Sequence, residues 1–477
     1  MTTNNTNMSK KAFSFLLDNI VTIIFVLFAV FGFMVAEFSV SAFTNELTSR
    51  FFRNAILVLS LIIPVMAGLG LNFGITIGAL AGMLSLIFVR YHYTIFIGFG
   101  GLLMAFVIAT PIAILFGYLT GKLYNKTRGQ EMVASLIVGW FANALYLIFV
   151  LFIIGAVIPV TAGHRMVIPG EEGIGISHTF DLGLPYQEIT ARHGDMIPGL
   201  ARSMNNVWQI EFTYALVAIS VALLAYVIIR RYMAYKNPAL GQKPLWKFCV
   251  QAAACVAVVI FSFFSAYQIY YWNNVLEAAR VYTGNERLGL FQLEGISPFV
   301  VEISNINQVP VVTGLVILAV GLFIVYFIKT KLGQDCRSVG QSQHIAGVAG
   351  INVDRTRIIA TIICTVLASW GMIIFLQDMG HVSTYTAHMN IGFFSIAAIL
   401  VGGATAAKAG VKNAIVGIFL FHAMFILSPA IGRFISDDGN TGEYMRTFMV
   451  YGVIGVSLGL YVWKNNRAAK EKERLER

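Results

Sequence analysis

Residues 55–89 read AILVLSLIIPVMAGLGLNFGITIGALAGMLSLIFV, 35 positions without a charged side chain. One helix crosses the hydrocarbon of a bilayer with about 20 such residues. The run is therefore too long for one span, and two spans must share it. Gly68, Gly70 and Asn72 mark the break between them. Beyond the break, Gly74, Gly78 and Gly82 recur every fourth residue. That spacing lays small residues along one helix face, where a second backbone can approach closely. Asn72 and Thr76 place polar groups beside the same face.

The rest of the chain follows suit. It has 477 residues, 57% apolar and 12% charged, with a mean hydropathy of +0.76; soluble domains carry about 25% charge. Apolar runs bounded by charge predict twelve spans, near 19–40, 55–71, 72–89, 94–120, 131–160, 209–229, 248–270, 309–328, 358–377, 391–408, 413–432 and 446–463. The expected fold is an all-α polytopic membrane protein with about 10–12 transmembrane helices, some broken or re-entrant, and both termini cytoplasmic. The N-terminal MTTNNTNMSKK is polar, and the apolar run after it is too long for a signal-peptide core, so it reads as a retained first span. The domain plan is a tail over 1–18, a transmembrane domain over 19–463 and a basic tail over 464–477. Long outer loops fall at 161–207 and 271–308, and a cytoplasmic loop at 329–357. Within the second outer loop, Trp272 to Val281 has the pattern of a short amphipathic helix lying on the membrane surface.

Charge fixes the orientation. With the N-terminus inside, all fourteen lysines and nine arginines lie on the inner side. The outer side receives ten arginines and sixteen of the 23 acidic residues, giving +16 inside and −6 outside. The positive-inside rule selects this topology and rejects its inverse. It also accounts for the net charge of +10 without a nucleic-acid partner, which would need a basic patch on a soluble fold.

Several chemistries are missing from the pattern. GYLTGKLY at 117–124 lacks the spacing and the Ser or Thr of a phosphate-binding loop, so the chain reads as a conduit without a chemical engine of its own. His164, His178 and His193 share an outer loop, but none is three or four residues from another, and no metal site is expected. Cys249, Cys255, Cys336 and Cys364 form no C-x-x-C pair and fall in spans or on the inner side, which argues against disulfides. Glu211, near a span end, and His422, within a span, are the ionisable groups near the bilayer. Ion-coupled carriers need such groups at mid-membrane.

Two later segments carry more pattern than topology requires. KTKLGQDCRSVGQSQHIAGVAGINVDRTR, residues 329–357, places Ile345, Val348 and Ala349 at helical spacing, an apolar stripe suited to a partner's groove. Gly347 and Gly350 weaken an isolated helix there, and Arg337, Arg355 and Arg357 are available to acidic partner residues or lipid headgroups. NIGFFSIAAILVGGATAAKAGVKNAIVGIFL, residues 390–420, repeats the glycine-rich theme with Gly392, Gly402, Gly403, Gly410 and Gly417.

Taken in order, these segments resemble the permease subunits of bacterial ATP-binding-cassette importers for branched-chain amino acids, simple sugars and nucleosides. In that family a cytoplasmic loop reads approximately T-x-x-G-x-x-x-R-A-x-G-x-x-x-x-x-A-x-x-x-G-I-N-V. This chain offers Thr330, Gly333, Arg337, Ser338, Gly340 and Ala346, then Gly350-Ile351-Asn352-Val353. The family's G-F-D-A-I-A-V-A-L-L-G-G is similar to Gly392 through Gly403, with Phe394 where the acidic residue is common. NFGITIG is similar to the family's early glycine-rich segment.

The resemblance implies that 333–353 docks into a separate ATPase subunit, with Arg337, Gly340, His344, Ile345, Val348, Ala349, Gly350, Ile351 and Asn352 as coupling residues. ATP and magnesium would then be bound by that subunit, with no cofactor on this chain. It further implies a second permease subunit, identical or related, an extracytoplasmic solute-binding protein, and a multi-pass location in the bacterial inner membrane. The extra length over the family falls in the outer loops and the 209–270 span pair. Few charges in the spans favour a neutral solute, a sugar or nucleoside before a branched-chain amino acid. Asn72, Thr76 and Asn143 could hydrogen-bond it, with Phe394 and Ser395 also on the path. Gly74, Gly78, Gly82, Gly402 and Gly403 would pack helices.

The rival reading is a twelve-span secondary transporter of the major facilitator type, driven by an ion gradient. Gly350-x-x-x-Asp354-Arg355 echoes its loop motif, but Thr356-Arg357-Ile358 follows where basic residues belong. The chain also lacks an extended central linker. A channel would need a pore-lining ring, which the sequence does not offer.

Overall fold

The break in the 55–89 run is a built turn. Helix α1 (Ile20–Val35) is followed by α2 (Val40–Ser60), which resumes as the short α3 (Ile62–Met66). The chain then leaves helical geometry until α4 (Ile75–Tyr91). Gly68 and Gly70 have φ of +74° and +66°, conformations open to glycine at little cost. The Asn72 carboxamide oxygen accepts from the Gly74 amide at 3.0 Å and from the Tyr124 hydroxyl at 2.8 Å. Backbone freed from a helix inside a membrane must find partners within the protein, and Asn72 supplies one.

The computed structural model describes residues 20–36, 38–154, 157–158, 166, 176–183, 199–236, 245–283, 289–293, 295–405, 408–436, 440–456 and 459. Both tails, His164 and His193 lie outside them. The order continues with α5 (Gly98–Lys126), α6 (Glu131–Ile148, ending in a π turn), β1 (Thr179–Asp181), β2 (Gln209–Ile210), α7 (Phe212–Lys236) and α8 (Leu245–Thr283). Then come α9 (Pro298–Ser304), β3 (Val309–Pro310), α10 (Val311–Phe327), α11 (Lys331–Gln341), α12 (Gln343–Val348) and α13 (Val353–Met379). β4 (His381–Ser383), α14 (Met389–Val401) and α15 (Val411–Ile435) follow, and a last helix, α16, covers 440–456.

Every expected span carries a helix, and the fold is the all-α polytopic one. Among the described residues, seven helices are long and apolar enough to cross a bilayer, and an eighth if α10 and α11, bent by 72°, count as one. The shorter apolar helices are α1, α4 and α14.

Three helices, α4, α5 and α13, make the centre. A Cβ on Gly78 would lie 2.5 Å from the Thr365 carbonyl oxygen, and one on Gly82 2.5 Å from that of Ser369. The glycine spacing thus lets α4 and α13 touch backbone to backbone. The Thr365 hydroxyl donates to the Ala113 carbonyl of α5 at 2.9 Å, and Trp370 Nε1 to the Thr110 hydroxyl at 3.0 Å. Gly78→Leu should push α4 off α13 and abolish a monodisperse elution peak in detergent, because overpacking a rigid backbone contact costs about 1–3 kcal/mol or more. Leu84→Ala is the matched control.

Two expectations are corrected. The span placed at 391–408 ends at Val401. Gly402 lies where a side chain would strike the Asn413 carbonyl of α15, and Gly403 turns the chain at φ +82°. The 13 residues of α14 reach about 20 Å, short of a crossing. Residues Trp272 to Val281 form no separate surface helix: α8 runs unbroken for 39 residues. No glycine or proline interrupts it between Pro244 and Gly284, so nothing bends it at the membrane edge.

The chain divides into two compact units, one formed by 38–48 and 208–311, the other by the remainder. In the smaller unit, α7 and α8 pack along each other, with the Ser220 and Ser262 hydroxyls 3.0 Å apart. β2 and β3 pair antiparallel. The Ser41 amide donates to Glu302 of α9 at 2.9 Å and holds that carboxyl below its ordinary range. In the larger unit, β1 pairs with β4, Arg90 Nε donates to the Asp181 carbonyl at 2.8 Å, and the Arg202 amide to the Gln377 carbonyl at 2.7 Å. The first outer loop is thereby tied to the end of α13.

Candidate functional site

The cytoplasmic segment is two capped helices. Thr330 caps α11, its hydroxyl accepting from the Gly333 amide at 3.2 Å. Ser342 caps α12, accepting from the Ile345 amide at 3.3 Å. Gly350, at φ +84°, ends α12. The Ile351 amide reaches back to the Ala346 carbonyl and the Gly350 amide to that of Gly347, both at 3.0 Å, which is a Schellman ending. Asn352 then opens α13, its side chain accepting from the Arg355 amide at 3.0 Å. Gly-Ile-Asn-Val is thus a stop signal followed at once by a start signal.

This punctuation presents the stripe. Ile345 is 69% exposed and Val348 79%, whereas Ala346 between them is 2% exposed and anchors the helix. Ala349, His344 and Arg337 are also exposed. Gly340 is not on that surface: a Cβ there would run into the Met66 carbonyl at the break after α3. Its role is to let α11 lie against that break. Gly350, Ile351 and Asn352 shape the segment through the turn just described.

Arg357, expected to face a partner or lipid, is instead buried at 0% exposure. Its Nη2 meets Glu131 Oε1 at 2.5 Å and the Tyr124 carbonyl at 3.2 Å, and Nη1 meets Gln343 Oε1 at 3.3 Å. One guanidinium therefore joins the first residue of α12, the end of α5, the first residue of α6 and α13 itself. Arg128 and Asp354 pair nearby.

A cavity of about 240 Å³ lies against α6 and the start of α14. Its wall includes Thr76, Trp140, Asn143, His388, Phe393 and Tyr451 and holds no Asp, Glu, Lys or Arg. Phe73 and Phe393 are 5.5 Å apart by ring centroids, and Phe393 and Tyr451 5.6 Å. His388 Nε2 lies 2.7 Å from Asn143 Oδ1. An amide oxygen only accepts, so this bond assigns the proton to Nε2 and leaves Nδ1 of the neutral ring as an acceptor. Among the described residues that Nδ1 is buried and unpartnered.

Of the residues expected on the path, Thr76 and Asn143 line this cavity and three others do not. Asn72 is buried and committed to the turn. Phe394 packs on Phe421 and Phe425, and Ser395 is buried. The aromatic walls and His388 were missed, because a single sequence does not say which faces of α6 and α14 converge. At the outer end of α13, Asp378 accepts from Arg53 Nε and Asn205 Nδ2, both at 2.8 Å. Asn205 Oδ1 in turn accepts from Gln377 at 2.9 Å and Thr313 at 2.7 Å. Helix α13 thus carries a polar clamp at each end.

Residues 174–458 match the family described as branched-chain amino acid transport system / permease component. The chain belongs to this family. As such a permease it is a transport subunit and a multi-pass protein of the inner membrane. Over 143 residues the permease is 27% identical to the nucleoside ABC transporter permease protein NupB of Lactococcus lactis subsp. cremoris (strain MG1363). That stretch covers 30% of this chain and 35% of the relative, about a third of its length. No solved structure matches.

Proposed function

We propose that the chain forms the translocation path of an ATP-driven importer for a neutral, ring-bearing solute, a nucleoside first and a simple sugar second. The observation that carries this is the uncharged, aromatic-walled cavity with Asn143 and His388 on its wall. Aromatic walls hold a base or sugar face, and an amide beside an imidazole offers hydrogen bonds without a counter-charge. A free amino acid would bring an ammonium and a carboxylate into that space, at a high desolvation cost. The similarity to a nucleoside permease supports the same order of preference.

The drive comes from a separate ATPase subunit seated on Ile345, Val348 and Ala349, which holds the ATP and magnesium. A second permease subunit completes the path, and a binding protein delivers the solute outside. Arg357 carries motion of the docking helix to α6, whose residues Trp140 and Asn143 face the cavity.

The test is uptake of labelled uridine, ribose and leucine into proteoliposomes holding the permease with its ATPase and binding protein. Uridine uptake should need ATP, and Asn143→Ala should lower it about tenfold, the worth of one or two hydrogen bonds. Preferential leucine uptake would overturn the solute class. Uptake by the permease alone on a proton or sodium gradient would overturn the drive.

A further inference from the structure

We propose that the smaller unit holds a second solute site on the outer side, a cavity of about 410 Å³ that takes a neutral polyhydroxylated ring. Its walls are the start of α7, the outer turns of α8, Gly289 with Leu290, and α9 with the segment after it. All are residues that the charge-based topology places at or beyond the outer membrane edge.

Three polar groups there have been left without work. Thr213 is 2% exposed, and its hydroxyl is buried with no partner among the described residues. The reason is local. A helical threonine usually donates to the carbonyl four residues back, but Thr213 is the second residue of α7 and residue 209 belongs to β2. The Glu211 carboxylate and the Asn273 amide line the same cavity, and neither side chain has a hydrogen bond or ion pair among the described residues. Arg280 lines the cavity as well and has a partner of its own.

These groups define the ligand. A carboxylate only accepts and can take both hydroxyls of a vicinal diol. An amide both donates and accepts, and the Thr213 hydroxyl can do either. Phe212 and Leu276 give an apolar face for the ring. Among the described residues of the wall stand one acid and one base, a set that does not select a strongly charged ligand. A ribose or hexose ring fits this set. The assignment stands on this cavity's own residues, not on those of the central one.

The experiment is calorimetric titration of the full-length permease in lipid nanodiscs with ribose, uridine and leucine. Ribose and uridine should bind. Glu211→Gln should weaken them about tenfold and Thr213→Val about threefold. Thr213→Val should also raise the melting temperature of the ligand-free protein, since it removes an unmatched buried hydroxyl. Asn143→Ala, in the central cavity, should weaken only the Glu211-independent part of uridine binding and leave the Glu211-dependent part in place, while lowering uptake. Binding that ignores both Glu211→Gln and Thr213→Val, or that disappears with Asn143→Ala alone, overturns the site. Preference for leucine, or no binding of ribose or uridine at millimolar concentration, overturns it too. Failure here with ATP-driven uridine uptake intact removes this site only. Ribose held by Glu211 alongside leucine uptake removes only the proposed transported solute.

Discussion

Replacing both Ile345 and Val348 by aspartate is expected to abolish ATP-driven uptake and ATPase association while leaving the permease folded. In the isolated chain these side chains bury little, at 69% and 79% exposure. Exposed substitutions of this kind change stability by about 0.5 kcal/mol or less. At the centre of an interface, an apolar anchor is worth about 2 kcal/mol or more. Two anchors lost, with two charges desolvated in their place, would weaken association by three orders of magnitude or more. Co-purification with the ATPase subunit measures this directly. Ala346→Asp separates the effects, since Ala346 is buried and a charge there should break the helix itself. Unchanged co-purification of the double variant would remove the stripe as the docking surface.

The second large effect is expected at the buried pair. Arg357→Met leaves Glu131 buried without its cation, and breaking such a pair by removing one partner costs about 3–5 kcal/mol. Removing both, as Arg357→Met with Glu131→Leu, should recover most of that stability, because a well-packed apolar pair avoids the desolvation penalty. Thermal melting of the four proteins in a double-mutant cycle gives the coupling energy. The recovered double variant then tests function. It should still bind the ATPase, since the stripe is intact, yet move less solute for each ATP hydrolysed. The ties from Arg357 to Gln343 and to Glu131 would both be gone. Normal coupling in that variant would assign the pair to stability alone.

Much of the fold was legible because membrane insertion imposes few and strong rules. The 55–89 run had to break, and Gly68, Gly70 and Asn72 were the residues able to break it. Gly78 and Gly82 announced a backbone contact by their spacing, though not that α13 would fill it. Ile345 and Val348 stood out because nothing in topology required apolar residues in a cytoplasmic loop. Gly-Ile-Asn-Val was visible as a motif, but its part as a helix stop joined to a helix start needed the φ of Gly350 and the Asn352 cap.

Other features could not be read this way. Arg357 looked like one more inner-side cation, and Glu131 lies 226 positions away. Charge counting assigns a residue to a side of the membrane and not to a partner. Asn72 and Asn143 were equally plausible as path residues. The Tyr124 hydroxyl and the Gly74 amide claimed the first, while the meeting of α6 and α14 put the second on a cavity wall. The helix ends were misread where the composition stayed apolar past Val401, or where α8 met no breaker.

The sequence by itself determined the apolar helices, the break in the 55–89 run and the apolar stripe of Ile345 and Val348. Each follows from local composition or short-range spacing, which bilayer thickness and helix geometry convert into structure. Only the tertiary structure decided which polar groups are spent on the fold and which remain for a solute or a coupling step. That division depends on which distant backbone or side chain reaches each donor and acceptor first, and no periodicity along the chain records it.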